Sequence, residues 1–148
     1  MKILIDADGC PVVNATIALA QEFELECLLL CDTAHYFNRE GARTVVLSQG
    51  ADSVDFALVN MVQSGDIVVT QDYGLAAMCL ARKGRPIHQN GMVYTENNID
   101  SLLASRHTAQ KIRRSGGRTK GPTKRTAEQD EGFIRQLREL IERGLAEQ

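Results

Sequence analysis

The chain has 148 residues, 43% of them apolar and 24% charged, a balance that supports one packed core and excludes both wholesale disorder and two full catalytic domains. Aromatics make up 5% with no Trp, so the core must be aliphatic, and no apolar run approaches the roughly 18 residues needed to span a bilayer. Lys2, a short apolar run and then Asp6 and Asp8 do not make a signal peptide. Cys10, Cys27, Cys31 and Cys79 show neither CxxC pairing nor the density of a secreted scaffold, so the expectation is a cytoplasmic protein away from membranes, its cysteines buried as small hydrophobes.

Residues 2–6 read as a short buried strand ending in the carboxylate-rich turn Asp6-Ala7-Asp8-Gly9-Cys10, and Pro11 suits the first position of a helix to about residue 22. Residues 26–31 and 43–48 are the second and third strands, separated by a polar loop. A helix follows through residue 62, with Asp52 as N-cap and Val54, Leu58, Met61 and Val62 facing inward. Residues 66–70 form a fourth strand, and Gln71-Asp72-Tyr73-Gly74 leads into a helix over 75–82. Residues 86–88 and 92–94 flank a Gln-Asn-Gly turn, the mark of a short hairpin or strand end. A further helix covers 98–113. Thr126-Ala-Glu-Gln129 is a capping box that opens the last helix, with Phe133, Leu137, Leu140, Ile141 and Leu145 on one side.

This alternation predicts an α/β fold, a three-layer sandwich around a central, mostly parallel sheet with C-terminal helices. It forms one domain over 1–148, with 106–125 a basic loop segment and 126–146 the C-terminal helix.

The net charge of −2 conceals an asymmetry. Residues 1–105 carry thirteen acids against six Lys or Arg, residues 106–125 carry eight bases and no acid, and residues 126–148 carry three bases against six acids. In an open parallel sheet, ligands bind outside the carboxyl ends of the strands. Strand one delivers Asp6 and Asp8 there, strand four delivers Thr70 and Asp72, and the second helix adds Asp55, one turn beyond Asp52. Carboxylates so gathered repel one another unless divalent cations neutralise them, and an all-oxygen donor set suits Mg²⁺ or Mn²⁺. Asp52 equally suits a helix cap, and Asp6 or Asp8 could cap the first helix, although one helix start needs only one cap. Thr70 could orient Asp72 or a water. Cys10, ahead of Pro11, has the setting that lowers a thiol pKa, but no His stands near it in sequence.

Three motifs carry a family resemblance: Ile3-Leu-Ile-Asp6-Ala-Asp8-Gly-Cys10-Pro11-Val, Val68-Val-Thr70-Gln-Asp72-Tyr-Gly74-Leu-Ala76, and Gly116-Gly-Arg-Thr-Lys-Gly-Pro122 followed by Arg125-Thr-Ala. In this order and over nearly the whole chain, they resemble the YaiI/YqxD family of bacterial proteins, which is grouped with PIN-like nuclease domains. The resemblance implies a PIN-like fold with an acidic metal site at the ends of the first and fourth strands, onto which Asp6, Asp72, Asp8 and Asp55 map. The family turn usually reads Asp-Ala-Asp-Ala-Cys-Pro, so Gly9 departs from it without touching a ligand.

The leading expectation is a metal-dependent phosphodiesterase acting on nucleic acid, single-stranded RNA above all, by metal-activated water. In it Asp6, Asp8, Thr70 and Asp72 are catalytic, and Asp6, Asp8, Asp55 and Asp72 hold Mg²⁺ or Mn²⁺. Arg113, Arg114, Arg118, Lys120, Lys124 and Arg125 would hold phosphate, since an acidic edge needs a positive flank to keep a polyanion beside it. A homodimer is left open. Asp6-Ala-Asp8-Gly9 after a strand also suits a haloacid-dehalogenase-like phosphatase with Asp6 as nucleophile, although no Lys and paired Asp follow strand four. A third reading is a non-catalytic RNA-binding module that uses the basic segment.

Overall fold

The computed structural model describes residues 1–32, 39–47, 53–114, 116 and 124–148, with residues 53, 107–110 and 113–114 described by their backbone only. The chain runs β1 (Lys2–Asp6), α1 (Val13–Glu22), β2 (Glu26–Asp32), β3 (Arg43–Leu47), α2 (Ser53–Met61), β4 (Ile67–Val69), α3 (Tyr73–Ala81), β5 (Arg85–Ile87), α4 (Glu96–Arg114) and α5 (Ala127–Ala146). The five strands form one sheet in the order β3-β2-β1-β4-β5, and each neighbouring pair is parallel. The expected α/β architecture with helices on both faces is present. Val93 adds an isolated antiparallel bridge to Ile87, so the Gln-Asn-Gly turn closes a short return against β5.

Uninterrupted apolar runs in β1, β2 and β4 follow from burial on both faces, as all-parallel sheets require. Alternation sorts them. Ile3, Ile5, Cys27, Leu29, Cys31, Ile67 and Val69 pack with α1 and α5, whereas Leu4, Leu28, Leu30 and Val68 pack with Leu58 and Val62 near α2 and with Leu75 and Cys79 of α3. Cys27 and Cys31 thus share a face as small core residues. On the outer side of α3, Ala76 meets Tyr94 and Ile99, with Leu102 and Leu103 of α4 packed against them.

α5 is capped as its sequence predicts: Thr126 Oγ1 accepts from the Gln129 N–H at 3.3 Å, and Gln129 Oε1 accepts from the Thr126 N–H at 2.9 Å. Its Phe133, Leu137, Leu140 and Ile141 are buried, but Leu145, expected on that face, is 37% exposed, and the residue buried at that turn is Gly144, against Met1 and Arg85. At the other end, Gly91 (φ +95°) approaches Gly132 so closely that a Cβ on Gly91 would lie 2.8 Å from the Gly132 carbonyl oxygen. Asp66 stands before β4, at the sheet edge opposite the carboxyl ends. It accepts from the Lys2 backbone N–H at 3.0 Å and from the Gln63 N–H at 2.8 Å, and it pairs with Lys2 Nζ at 2.5 Å.

Several boundaries differ from the sequence reading. The helix expected to start at Pro11 begins at Val13, with Val12 as N-cap. Residues 106–114 continue α4, in keeping with the helix expected over 98–113 and against a basic loop that starts at 106, because α4 is anchored by Ile99, Leu102 and Leu103 and its following residues carry no Gly or Pro to stop it.

Because Phe133 is fully buried against the sheet, Phe133→Ala should lower unfolding free energy by about 3–5 kcal/mol in urea titration, the cost of a large aromatic truncated in a core.

Candidate active site

The chain steps outward from β1 to β2 and β3, then returns to place β4 on the other side of β1. The strand order therefore reverses between β1 and β4, and the crevice at their carboxyl ends is the binding position of an open α/β sheet. Ile5 lies opposite Val69 in the parallel register, so the next residues, Asp6 and Thr70, come side by side on the face that carries Leu4 and Val68.

Thr70, 2% exposed, is held on every side. Its N–H donates to the Ile87 carbonyl at 3.1 Å, and its own carbonyl accepts from the buried Tyr94 hydroxyl at 3.0 Å. Its hydroxyl donates to Asp6 Oδ2 at 2.9 Å and accepts from the Asp72 N–H at 3.0 Å. One hydroxyl thus ties the Asp6 carboxylate to the backbone of Asp72, and the convergence expected of those two residues is present. The role expected for Thr70, orienting Asp72, takes the form of a backbone contact, and its side chain orients Asp6.

Asp72 is the N-cap of α3: its Oδ1 accepts from the Leu75 N–H at 3.1 Å. The sequence reading started that helix at Leu75 and did not foresee the cap. Asp8 Oδ2 accepts from the Asp32 N–H at 3.3 Å, which fastens the turn after β1 to the end of β2. Gly9 in that turn has φ +72°, where a Cβ is disfavoured. Asp55 lies in the first turn of α2. Asp52, Arg118 and Lys120 lie outside the described residues, as do the side chains of Arg113 and Arg114.

Electrostatics gathers the four acids. Burial pushes Asp6 up from its ordinary value of 3.8 to about 6, the Thr70 hydrogen bond opposes this, and the charges of Asp55, Asp72 and Asp8 each raise it further. Asp6, Asp72, Gln71, Tyr73 and Arg106 line a cleft of about 390 Å³. Among the described residues, no three His, Cys, Asp or Glu side chains are already drawn together to ligate one ion.

Of the residues expected to hold phosphate, Lys124 and Arg125 are described with their side chains. Arg125 donates to Asp130 at 2.6 Å, to Asn90 Oδ1 at 2.7 Å and to the Gln89 carbonyl at 2.7 Å, a clamp that joins the start of α5 to the turn after β5. Lys124 beside it is exposed. The thiol of Cys10 is also unlike its expected setting: burial pushes it up to about 11 and outweighs the lowering by a backbone hydrogen bond at Val12, while the charge of Asp6 adds a smaller rise. Cys27 and Cys79 are pushed up by burial to about 12.

Arg106, Asp32 and Tyr94 escaped the sequence reading. Arg106 has a legible signal, since Ile99, Leu102, Leu103 and Arg106 fall at helical spacing on one face, and the Arg takes a place that an apolar residue would otherwise fill. Asp32 was assigned to a loop although it ends β2. Tyr94 carries no sequence signal, because its partner is a backbone carbonyl.

Fold and site together define an α/β protein with an acidic cleft at the reversal point of a parallel sheet. The chain belongs to the YaiI/YqxD family, described as uncharacterised, whose profile matches residues 4–143. It is similar to a UPF0178 protein of Exiguobacterium sibiricum, 60% identical over 95% of this chain and 96% of the relative. A UPF0178 protein of Clostridium acetobutylicum is 49% identical over 97% and 99%, and one of Ruminiclostridium cellulolyticum 47% identical over 93% and 90%. No solved structure matches the chain. No helix among the described residues is long and apolar enough to cross a membrane.

Two outcomes test this geometry. The folded chain holds the Asp6 proton more tightly than the unfolded chain, so the stability it carries is full below pH 3.8 and is lost as pH rises through about 6. Without divalent cations, Asp6→Asn should therefore be more stable than the wild type at pH 7.5, by up to about 3 kcal/mol, and lose that advantage at pH 4, as read by urea unfolding at both pH values. Thr70→Val removes the bond that lowers the Asp6 pKa and strands the Asp72 N–H. Carboxyl titration by NMR should place Asp6 above about 6, with a stability loss of about 1–3 kcal/mol.

Proposed function

We propose that the chain is a divalent-cation-dependent phosphodiesterase that cleaves nucleic acid, with single-stranded RNA as the first substrate to try. The observation that carries this reading is the state of Asp6: half-buried at the reversal point, open to a cleft, and raised to about 6 in part by the charges of Asp55, Asp72 and Asp8. Like charges collected at the one place where the sheet binds ligands are an unfavourable arrangement for a bare protein and a favourable one for a hard divalent cation.

The donor chemistry fits Mg²⁺ or Mn²⁺, because the converging groups are all carboxylates. Asp6 and Asp72 would hold the ion, with Asp8 and Asp55 in the same field. When bound, it supplies a water of lowered pKa and a positive charge against which negative charge can develop at phosphorus. The chain's own residues do the positioning. Thr70 fixes the Asp6 carboxylate through its hydroxyl, and the α3 cap fixes Asp72. The pairs Asp8–Asp32 and Tyr94–Thr70 hold the strand ends to which these residues belong.

The strand order and the acids at the ends of β1 and β4 also favour the PIN-like relationship that the motifs imply. A cytoplasmic location is consistent with Cys10, Cys27, Cys31 and Cys79 standing as thiols.

Purified protein should cleave single-stranded RNA in Mn²⁺ or Mg²⁺ and stop on chelation. Asp6→Asn should lower kcat by at least about a hundredfold, while Cys10→Ser retains turnover. A phosphoenzyme trapped on Asp6 would instead establish a phosphatase, and loss of turnover in a folded Cys10→Ser protein would establish a thiol mechanism.

A further inference from the structure

Arg106 is the cation among the described residues that line the acidic cleft. It reaches the cleft from α4, and its Nη1 lies 3.5 Å from Asp72 Oδ1, the same oxygen that accepts the Leu75 N–H at 3.1 Å. A contact of that length is at the limit of a hydrogen bond, and it uses one of the five donors a guanidinium carries. The side chain is 48% exposed, so solvent screens the pair and little is lost in parting it.

Arg125 shows what a structural arginine looks like in this chain: three oxygen partners at 2.6 to 2.7 Å and 20% exposure. Arg106 has the opposite character. The stripe formed by Ile99, Leu102 and Leu103 packs α4 against α3 and delivers residue 106 to the cleft mouth, so its backbone is held while its head group is not. Gly74 lies beneath the pair, where a Cβ would meet Asp72 Oδ1 at 3.3 Å and Arg106 Nη1 at 3.5 Å.

We propose that Arg106 binds the substrate's phosphate: its guanidinium, resting on Asp72 in the free protein, passes to the non-bridging oxygens of one phosphate when a single strand enters the cleft. This rests on the reading of the site as a phosphodiesterase centre. A planar fork of donors suits a phosphate better than it suits a carboxylate oxygen already occupied by a helix cap. The move also releases Asp72 from its counter-ion. Arg106 and a divalent cation therefore compete for Asp72 in the free protein and cease to compete once the strand is bound.

The test uses Arg106→Gln and Arg106→Lys in the full chain. Binding of a fluorescein-labelled single-stranded RNA is followed by anisotropy in EDTA, where no turnover interferes, across a salt series. Mn²⁺ binding is followed separately by electron paramagnetic resonance. Arg106→Gln should weaken RNA binding at least about tenfold and flatten the log–log salt slope by about 0.7, the contribution of one phosphate contact on a single strand. Its Mn²⁺ affinity should equal or exceed that of the wild type, a result that a merely structural role for Arg106 does not produce. Arg106→Lys should keep the salt slope and recover part of the affinity.

Unchanged RNA binding and slope in Arg106→Gln, with wild-type protein that binds both RNA and Mn²⁺, overturns the assignment of Arg106 alone. Lost Mn²⁺ binding in Arg106→Gln, or a lowered Tm that accompanies weaker RNA binding, makes the residue structural and also overturns it. Wild-type protein that binds neither Mn²⁺ nor RNA overturns the phosphodiesterase reading and this assignment with it.

Discussion

The hydroxyl of Thr70 is the point on which sheet and site meet. It donates to the Asp6 carboxylate and accepts from the Asp72 N–H, while the Thr70 backbone is bonded to Ile87 on one side and to the Tyr94 hydroxyl on the other. The ends of β1 and β4, the return after β5 and the start of α3 are therefore fastened through one residue that solvent barely reaches. A Ser could form the same hydroxyl bonds, but the branched side chain has fewer rotamers and suits a strand end, so less order has to be imposed on folding.

That frame decides which force dominates at Asp6. Burial is the first cause of its raised pKa, ahead of the neighbouring carboxylates, and the Thr70 bond lowers it by less than burial raises it. The rise thus comes chiefly from the partial withdrawal of the carboxylate from water, and the repulsion from Asp55, Asp72 and Asp8 adds to it. A cation arriving at such a group recovers both penalties at once, whereas one arriving at a solvated acid cluster recovers only the repulsion. The partial burial of Asp6 makes the cleft more than a patch of negative charge.

Much of this was legible in the residues. Unbroken runs such as Ile3-Leu4-Ile5 and Ile67-Val68-Val69 announce strands buried on both faces, and a parallel sheet places whatever follows them at one edge. Asp6, Thr70 and Asp72 could be found because they stand one to three residues past those runs. What stayed hidden depends on contacts between distant segments. Cys10 precedes a helix, as a reactive thiol would, but the helix starts two residues later than Pro11 suggests and the burial around it reverses the expected shift. Arg125 reads as one more member of a basic run until the turn at Gln89 and Asn90 comes within reach of its guanidinium. Composition cannot separate a held arginine from a mobile one.

That separation changes what the charge asymmetry means. A run of eight bases on an acidic body suggests a single positive surface, but its first member, Arg106, faces the cleft from a helix, while Arg125, its last, is consumed in docking α5. Lys111 lies on the exposed side of α4, and Lys124 is exposed beside the clamp. Among the described residues, the positive charge of this run thus falls on separate elements and not on one surface. On the reading proposed above, a single strand entering the cleft would meet Arg106 there. On that reading, the placement of one arginine on α4 bears on the site more directly than the total charge of the run does.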